Sequence, residues 1–456
     1  MDLDRCRMLN SKNENNFGKY IALYLKRDIR FQDNWSFILA IRFAKQYNVP
    51  IKVFYFLPKT LHKNNIPSKY CIIYPSKRHL AFLLESLSDF EKNINKHGIP
   101  FNFKIGNTPL ETFESDFNNA VLVITDLKPT IPAVNCDKNI ASKINVKFIQ
   151  IDSSNIVPIW ITSEKAEYMA RTIRNKLWTK ATKYLINYPN YTSYKQEFIK
   201  SSNTLPKLEN LPFIKDSFVT KTKAGYINGM KRFNNFVKTN LKLYNYRNDP
   251  TKEVQSNMSI YINYGLVSVQ KIVYLLKQIS DSNLKNNIEE YIEEIFVRRE
   301  LAENFCFYKD YTIANSAAWD WSLKLMNNET SKKQIYTLKE MECAKTNDII
   351  WNACQYELVN TGYMQGYMRM YWSKKITDWC KNRQIALDIS NYLNDKYQMD
   401  GSSSGGYAGT AWCVIGVHDR PFFGKFRQMT LQSLKNKKID INEYVNKFYK
   451  EKISIC

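Results

Sequence analysis

Short apolar runs separated by helix-like patterns fill the first third of the chain. Helical periodicity is clear in the intervals between them, for example over Trp35–Tyr47 and His79–His97. The apolar runs are Tyr20–Leu25, Ile51–Leu57, Phe101–Ile105, Val121–Thr125 and Val146–Ile151. Strands that alternate with helices form parallel sheets covered on both faces. Residues 18–160 are therefore predicted to fold as a doubly wound, Rossmann-like α/β domain with a parallel five-stranded sheet, after a polar and loose segment at 1–17.

Beyond this region the alternation of strands and helices stops. Turn and extended signals such as YPNYTSY mark residues 161–225, which we interpret as a connector between domains. From residue 226 to residue 456 the pattern is mostly helical, with long stretches such as Asn287–Phe307. The sequence therefore predicts a second, all-α domain at 226–456.

Ligands of doubly wound sheets bind beyond the carboxyl ends of the strands, and Asp126 and Asp152 stand at two of these ends. The chain lacks the GxGxxG and P-loop glycine patterns. Ordinary dinucleotide or triphosphate binding at this edge is therefore not supported by the sequence.

Positive charge is in large excess. The chain carries 66 Lys and Arg against 43 Asp and Glu, a formal net charge of +23. Such an excess predicts attraction to polyanions, with nucleic acid first and anionic membrane second. The alternative is a coding bias toward Lys and Asn that leaves a basic but inert surface. The abundant aromatic side chains suit stacking on bases and favour nucleic acid.

The cysteines and the hydropathy pattern indicate a reduced, intracellular protein. The nine cysteines are scattered, no two form a CxxC pair, and the spacing typical of zinc or iron–sulfur ligands is absent, so we expect no metal site. The chain has no apolar run of 18 residues and no signal-peptide pattern, so membrane insertion is not expected. We expect a monomer. The sequence does not show whether it acts in the nucleus, the cytoplasm or a virus particle.

One tryptophan-rich stretch, residues 336–379, organises the helical region. Trp372 and Trp379 are seven residues apart and share a helix face, whereas Trp351 lies on a preceding helix that is predicted to stop at Gly362. Arg369 stands among apolar neighbours on the second helix and needs an acidic partner, for which Asp400 is the candidate. Taken alone, the stretch is equally typical of an aromatic core with one satisfied arginine.

Longer sequence words carry a family resemblance. The first of these words are YLKRDIRFQDNW at 24–35, NIVPIWITSEKAEYMARTIRNKL at 155–177, RNDP at 247–250, QSNMSIYINYG at 255–265 and VRRELAENFCFY at 297–308. After them come AKTNDIIWNACQ, GYMRMYWSKKITDW, LNDKYQMDG and FGKFR. In this order they resemble class II cyclobutane pyrimidine dimer photolyases of the photolyase and cryptochrome superfamily. The resemblance spans nearly the whole chain.

The resemblance implies a carbon–carbon lyase with an α/β domain and an all-α, FAD-binding domain. Light would excite fully reduced FAD, and the excited flavin would send an electron to a cyclobutane pyrimidine dimer flipped out of single- or double-stranded, UV-damaged DNA. A deazaflavin is the antenna chromophore that the family suggests for the α/β domain, and the sequence leaves its presence open. Two alternatives stay open: a cryptochrome-like blue-light sensor without repair, and a basic nucleic-acid-binding module that has lost its cofactor.

The resemblance also assigns residues to roles. The expected flavin contacts are Tyr244, Arg247, Ser256, Asn257, Met258, Ser259, Asn352, Arg369, Asn394 and Asp400. The expected catalytic group comprises Glu300, Asn394, Met370 and Tyr336. Trp351, Trp372 and Trp379 would relay electrons, with Trp379 as the outer donor, and Trp412, Arg420 and Lys425 would contact DNA. Taken alone, the SNMS word is an ordinary helix start, Glu300 a charge on a solvated helix, and Asn394 a helix-end residue.

Three features depart from the family pattern. Ser402–Gly405 replaces a charged residue, a proline and an asparagine, and we expect a surface loop near the DNA there. The chain runs directly from HDR to PFFGKFR, without an inserted segment that holds a tryptophan. Ile260 and Asn263 replace a proline and a histidine after the SNMS word.

Overall fold

The computed structural model describes residues 3–58, 76–197, 204–211, 219–437 and 439–449. Parts of the predicted connector and the last residues of the chain lie outside these ranges. The described residues form a sheet-containing region followed by a helical region. None of the helices in the described ranges is long and apolar enough to cross a membrane.

The sheet has six strands rather than the five predicted. The strands are β1 (Cys6–Met8), β2 (Ile21–Leu25), β3 (Ile51–Pro58), β4 (Phe101–Gly106), β5 (Leu122–Asp126) and β6 (Lys147–Ile151). Their order is β1-β6-β5-β2-β3-β4, with β1 antiparallel to β6 and the other pairs parallel. The five predicted strands are therefore confirmed as the parallel part. The expectation of a loose segment at 1–17 is wrong at its start, because Cys6–Met8 adds an edge strand.

Helices cover both faces of the sheet. Those of this region are α1 (Trp35–Tyr47), α2 (Lys77–Asn95), α3 (Pro109–Asn118), α4 (Ile131–Lys143), α5 (Ile159–Thr162) and α6 (Ala170–Tyr184). Local sequence explains two of the starts: Asn34 accepts a hydrogen bond from the Ser36 amide, and Thr108 accepts one from the Glu111 amide ahead of Pro109. The predicted connector also contains α6, so it is not made of turns and extended chain alone.

The two aspartates at the strand ends have structural tasks. The Asp126 carboxylate accepts hydrogen bonds from the backbone amides of Lys26, Arg27 and Asp28 at 2.7–2.8 Å. It thereby closes the crevice between β2 and β5, where the strand order reverses. Asp152 accepts from the Asn155 and Ile159 amides and organises the turn into α5. Both carboxylates therefore bind backbone amides at the carboxyl edge of the sheet.

The remainder of the described chain is helical. The elements are α7 (Tyr226–Thr239), α8 (Ser259–Asn263), α9 (Val269–Leu276), α10 (Lys285–Ile292), α11 (Arg299–Tyr308), α12 (Ala314–Ala317), α13 (Asp320–Asn327), α14 (Leu338–Glu342), α15 (Ile349–Thr361), α16 (Gly366–Trp379), α17 (Arg383–Tyr397), α18 (Ser404–Ile415), α19 (Leu431–Asn436) and α20 (Ile441–Phe448). A π-helical segment, Glu293–Arg298, joins α10 to α11, which confirms the long helical stretch predicted there. Such segments are rare and are frequent at functional sites.

Three apolar clusters hold these layers together. One fills the face of the sheet that α3 and α4 cover. The second covers the opposite face and continues without a break into α7–α11, and the third lies among α11–α20. The sheet region therefore shares a core with the first helices of the helical region, and the boundaries at 160 and 225 stay predictions.

A buried ion pair ties the sheet edge to the helical region. Arg27, just after β2, binds Glu303 on α11 through two parallel hydrogen bonds of 2.8 and 2.9 Å. Both side chains are buried, and such two-point contacts fix geometry as well as charge. This contact sets the position of α11, which also carries Glu300.

Candidate functional site

A polar cleft opens in the helical region between α7, the segment that leads into α8, the α15–α16 turn and α20. Its cavity volume is about 310 Å³. Among the residues that line it are Asn257, Ser259, Gln365 and Asp400, together with the cation Arg232. Three of these, Asn257, Ser259 and Asp400, belong to the flavin set expected from the sequence, although they are far apart along the chain.

The turn between α15 and α16 sets one wall of the cleft. Gly362 ends α15 with a φ of 73°, a conformation that favours glycine, and a Cβ there would lie 2.9 Å from Met399 Cγ. The Gly362 carbonyl accepts a hydrogen bond of 2.8 Å from the Met399 amide. The predicted helix stop is therefore confirmed, and it draws the segment that contains Asp400 against the start of α16.

Arg369 and Asp400 form the ion pair that the sequence predicts. Arg369 Nη1 donates to Asp400 Oδ1 at 3.2 Å. The Asp400 residue is buried, whereas 29% of the Arg369 side chain stays accessible. Asp400 also lines the cleft, so the pair joins a partly accessible cation to a carboxylate of the cleft wall.

The SNMS segment leads into the cleft but is not capped as a simple helix start. The α8 helix begins at Ser259, and Met258 before it provides no side-chain cap. Asn257 adopts a φ of 51°, and its side-chain oxygen is buried without a hydrogen-bond partner. Arg232 donates through Nε to the Ser256 carbonyl at 3.1 Å and lines the same cleft. An unpartnered amide oxygen beside a cation fits a ligand that carries both polar ring groups and phosphates, as FAD does.

Arg247 and Tyr244 do not take the places expected for them. The Arg247 guanidinium binds Glu290, with Glu294 at 3.8 Å, so it is directed at the α10 side of the fold. Its carbonyl oxygen, in contrast, accepts a hydrogen bond from the side chain of Gln365, which lines the cleft. Tyr244 is buried in an aromatic cluster, 5.1 Å from the ring of Tyr291. Neither side chain is among the residues that line the cleft, and their contacts with a cofactor stay predictions.

Asn394 lies at a close contact between α17 and α18. It is buried, and a Cβ added at Gly406 would lie 2.9 Å from its amide nitrogen. The next residue, Asp395, accepts hydrogen bonds from the Ser402 amide at 2.6 Å and from the Tyr407 hydroxyl at 2.8 Å. Burial raises the pKa of Asp395 to about 6.

Two further expectations concern the start of α18 and the turn before α15, and the first of them is wrong. Ser404 is the first residue of α18 and Ser403 caps it, accepting from the Gly406 amide, so Ser402–Gly405 is a helix start rather than a surface loop. Asn352 directs its amide to the backbone of Thr346 and shapes the turn before α15. It is not among the residues that line the cleft.

The three tryptophans are in continuous ring contact, parallel between Trp372 and Trp351 and edge to face between Trp351 and Trp379, and we call the group the tryptophan stack. Trp351 lies between the other two, with its ring centroid 6.1 Å from Trp372 and 5.1 Å from Trp379. Trp372 and Trp351 are nearly parallel, 5° apart, and the Trp351 indole donates to the Trp372 carbonyl at 2.9 Å. Tyr336 continues the series on the outer side, 5.0 Å from Trp379. The half-buried Tyr336 therefore lies at the outer end of the stack.

Glu300 is buried at the contact between α11 and the loop after β6. Its Oε1 accepts a hydrogen bond from the Ile156 amide, while Oε2 is buried without a partner. Burial raises the pKa of Glu300 to about 8, although neighbouring Arg299 favours the ionised form. A pKa of about 8 favours the protonated form of this carboxyl at neutral pH, which can donate a hydrogen bond, whereas backbone hydrogen bonds from Ile156 and Val157 favour the ionised form. The view of Glu300 as a solvated surface charge is wrong.

The residues expected at the DNA face lie on α16, on α18 and in the segment after α18. Met370 and Trp412 are half-buried against the third apolar cluster. Lys374, one turn after Met370, places its ammonium group 4.5 Å from the centre of the Trp412 ring. Arg420 and Lys425 are exposed. The sequence reasoning missed Lys374 and, in the cleft, Arg232, because a single cation on a helix carries no pattern that separates it from surface charge.

Comparison with known proteins relates the chain to one family. A sequence model described as DNA photolyase matches residues 21–191. The chain is 33% identical to a deoxyribodipyrimidine photo-lyase from Potorous tridactylus over 93% of this chain and 80% of that protein. It is 31% identical to a protein of the same name from Methanothermobacter thermautotrophicus, over 97% of this chain and 98% of the relative.

Solved structures agree in fold. A cryptochrome from Synechocystis superposes with a TM-score of 0.74 at 13% identity, over 94% of this chain and 88% of the other. A class III photolyase from Agrobacterium tumefaciens superposes with a TM-score of 0.69 at 16% identity, over 94% and 86%. Identities this low establish a shared fold alone.

Proposed function

Because this chain belongs to the DNA photolyase family, we propose that it repairs cyclobutane pyrimidine dimers in DNA with the energy of light, as a class II enzyme. The observation that carries the proposal is the Arg369–Asp400 pair at the wall of the polar cleft, where Asp400 contacts both the cation and the cavity. The unpartnered Asn257 oxygen and the Arg232 cation in the same cleft support FAD as the cofactor.

When bound and fully reduced, FAD would supply the photoexcited electron that opens the dimer ring and then returns. The protein would supply binding, orientation and electrostatics. Arg369 would stabilise negative charge on the ring system, held in place by Asp400. Arg232 would neutralise the phosphates. The Asn394 amide can donate or accept a hydrogen bond and would adjust to the protonation state of the ring.

The dimer would be held by residues around α11, α16 and α18. Met370 and Trp412 supply the partly buried apolar surface on which flipped bases pack. The protonated Glu300 would donate a hydrogen bond to a carbonyl of the dimer and stabilise the negative charge that arrives with the electron. Its unpartnered, buried oxygen supports this role.

The tryptophan stack would serve a separate task, the recovery of reduced cofactor from oxidised cofactor in light. Trp372 would be the inner residue, Trp351 the middle one and Trp379 the outer donor. The centroid distances of 6.1 and 5.1 Å support an unbroken path. Tyr336, against Trp379, extends the path to the half-buried edge of the helical region.

A deazaflavin in the α/β domain remains the antenna that we propose. Since Asp126 occupies the crevice at the reversal of strand order, the antenna would bind elsewhere along the carboxyl edge of the sheet.

The cofactor assignment is tested by releasing and quantifying flavin from the purified protein. We expect one FAD per chain in the parent protein. Arg171→Ala is a matched control, because Arg171 is exposed on α6. Arg369→Ala should lose most of its flavin while the control keeps it. Full flavin content in Arg369→Ala would contradict the assignment.

A further inference from the structure

The outer end of the tryptophan stack reaches the surface of the helical region at Tyr336. The Tyr336 ring is half-buried and lies edge-on to the buried ring of Trp379, with the two centroids 5.0 Å apart. Its hydroxyl accepts a hydrogen bond of 3.0 Å from the Asn347 amide. Tyr336 is the most accessible ring of the series, so an electron from outside the protein enters the stack here.

Backbone hydrogen bonds fix the segment before Tyr336 along the end of α16. The Ile335 amide donates to the Trp379 carbonyl at 2.9 Å, and the Lys332 amide donates to the Lys381 carbonyl at 3.1 Å. The surface beside Tyr336 therefore has a defined shape. A partner that docks on it does not have to order a loop first, which lowers the cost of binding.

The charged side chains exposed around this entry point are mostly basic. We call residues 332–349 and 375–382, all of which the structure describes, the donor face. Exposed acidic side chains on the donor face are Glu340 and Asp378. The exposed basic side chains there are Lys332, Lys333, Lys339, Lys345 and Lys381. A surface with this balance attracts and orients an acidic partner.

Two large apolar side chains stand exposed among these charges. Ile335 is 58% exposed and directly precedes Tyr336, and Ile349 at the start of α15 is 50% exposed. An apolar centre inside a polar rim is the usual anatomy of a protein–protein interface. Encounters between redox proteins are at the small end of such interfaces, with less than about 1,200 Å² buried. A face of this size is therefore sufficient for a transient redox partner.

DNA in the expected dimer pocket would leave the donor face uncovered. Met370, expected in that pocket, and Trp379 are nine residues apart on α16. Nine residues are about two and a half helical turns, so the two side chains leave opposite faces of the helix. The cations of the donor face are therefore available to a second partner while the dimer pocket is occupied.

We propose that the donor face docks an acidic protein that carries a single electron, and that this carrier restores the tryptophan stack after each photoreduction. The inference rests on the proposed function, since the stack lacks an electron only if light draws one toward the flavin. Trp379 is then one electron short. The reduced carrier gives one electron to Trp379 past Tyr336 and is itself oxidised by one electron. No bond forms or breaks in this step, and no proton is transferred.

The test uses reduced cytochrome b5, an acidic haem protein, as the probe. Its oxidation is followed after a light pulse on the protein with oxidised flavin, and the rate in darkness is subtracted. Lys332→Glu combined with Lys333→Glu should lower the second-order rate constant about tenfold at low ionic strength, within the range that electrostatic steering covers. The rate constant of the parent should fall as salt screens the charges, and that of the variant should not.

Lys92→Glu combined with Lys96→Glu is the matched control. Both lysines are exposed, at the end of α2 and directly after it, and the change in net charge is the same. This variant should keep the rate constant of the parent. With dithiothreitol, a small uncharged donor, the parent and both variants should be photoreduced at equal rates, because the stack itself is unchanged.

Four results would overturn the docking proposal. The first is an unchanged rate constant with cytochrome b5 in the donor-face variant, and the second is an equal fall in both variants, which would show that only net charge matters. The third is a loss of affinity for a dimer-containing strand in the donor-face variant alone, which would assign the face to DNA. The fourth is a parent protein that is not photoreduced even with dithiothreitol. In that case the proposed relay has failed rather than the docking face, so the two failures are distinguishable.

Discussion

The protonation of Glu300 makes repair depend on pH in a direction that the structure defines. The side chain is removed from water on α11, and burial is the largest cause of its raised pKa of about 8. Only the protonated carboxyl can donate from its unpartnered oxygen to a carbonyl of the dimer. Since the pKa is raised, the active form predominates below pH 8 and is lost as the pH rises through that value.

The size of the effect follows from the difference between the pH of the assay and the pKa of Glu300. At pH 7 about ten carboxyls are protonated for each one ionised, and at pH 9 the ratio is roughly reversed. If donation from Glu300 limits the yield of ring opening, repair per absorbed photon should fall roughly tenfold between pH 7 and pH 9. The midpoint should lie near the pKa of about 8.

The assay measures repair per absorbed photon at saturating dimer-containing single strand, so that affinity does not enter. Glu300→Gln keeps an N–H donor without a titrating proton, and its yield should be close to that of the parent at pH 7 and flat up to pH 9. Glu300→Ala should be low at both pH values. Glu289→Gln, on the exposed side of α10, is the control that should retain the parent profile. A pH-dependent fall that persists unchanged in Glu300→Gln would refute the assignment.

Three further predictions concern cofactor, relay and DNA. Arg369→Ala should lower the free energy of unfolding of the flavin-free protein, toward the lower end of about 3–5 kcal/mol because the arginine is partly exposed. Denaturant unfolding of flavin-free Arg369→Ala beside flavin-free Arg171→Ala checks this, and equal stability would contradict it. Trp351→Phe removes the indole in the middle of the stack and should slow the photoreduction of the flavin, measured by its absorbance, whereas Trp178→Phe should not. Equal rates in the two variants would show that the stack is only part of the apolar core. Arg420→Ala should weaken binding to damaged duplex more than to damaged single strand, with affinity falling as salt rises; identical titrations of both substrates would exclude the contact.

The fold was largely predictable because the parallel strands are apolar on both faces. β2, for example, is buried at every position, so its run of apolar residues is unbroken. β1 was not predicted because it has no such unbroken apolar run. It is a three-residue edge strand whose pairing partner, β6, lies far along the chain, and Arg7 within it binds Gln150 across the pair. Such pairing has no local signal.

Tertiary contacts also decided the start of α18. Glycines and serines at 401–406 are typical of a loop, since glycine weakens helices. Here the Asp395 carboxylate fixes the Ser402 amide and Ser403 caps the helix, so burial overrides propensity. The sequence contains the capping serine, Ser403, but the carboxylate that holds the residue before it belongs to the preceding helix.

The part of the candidate site that could be predicted is the part in which a charged side chain requires an oppositely charged partner. A cation among apolar neighbours needs a carboxylate, which is why Arg369 and Asp400 could be paired across 31 positions. The pairing of Arg247 with Glu290 and Glu294 was not predicted, because these acidic residues lie more than 40 positions along the chain. The direction of a long side chain depends on neighbours that the local sequence does not identify.

The central claim is tested most directly by the loss of dimers from DNA in light. Purified protein with reduced flavin is mixed with an oligonucleotide that carries one cyclobutane pyrimidine dimer, and intact pyrimidines are counted after blue-light exposure and after an equal time in darkness. The account predicts complete repair of saturating substrate in light over many turnovers, and none in darkness. A flavin-bound protein that leaves the dimers unchanged in light would contradict it and favour a light sensor on the same fold.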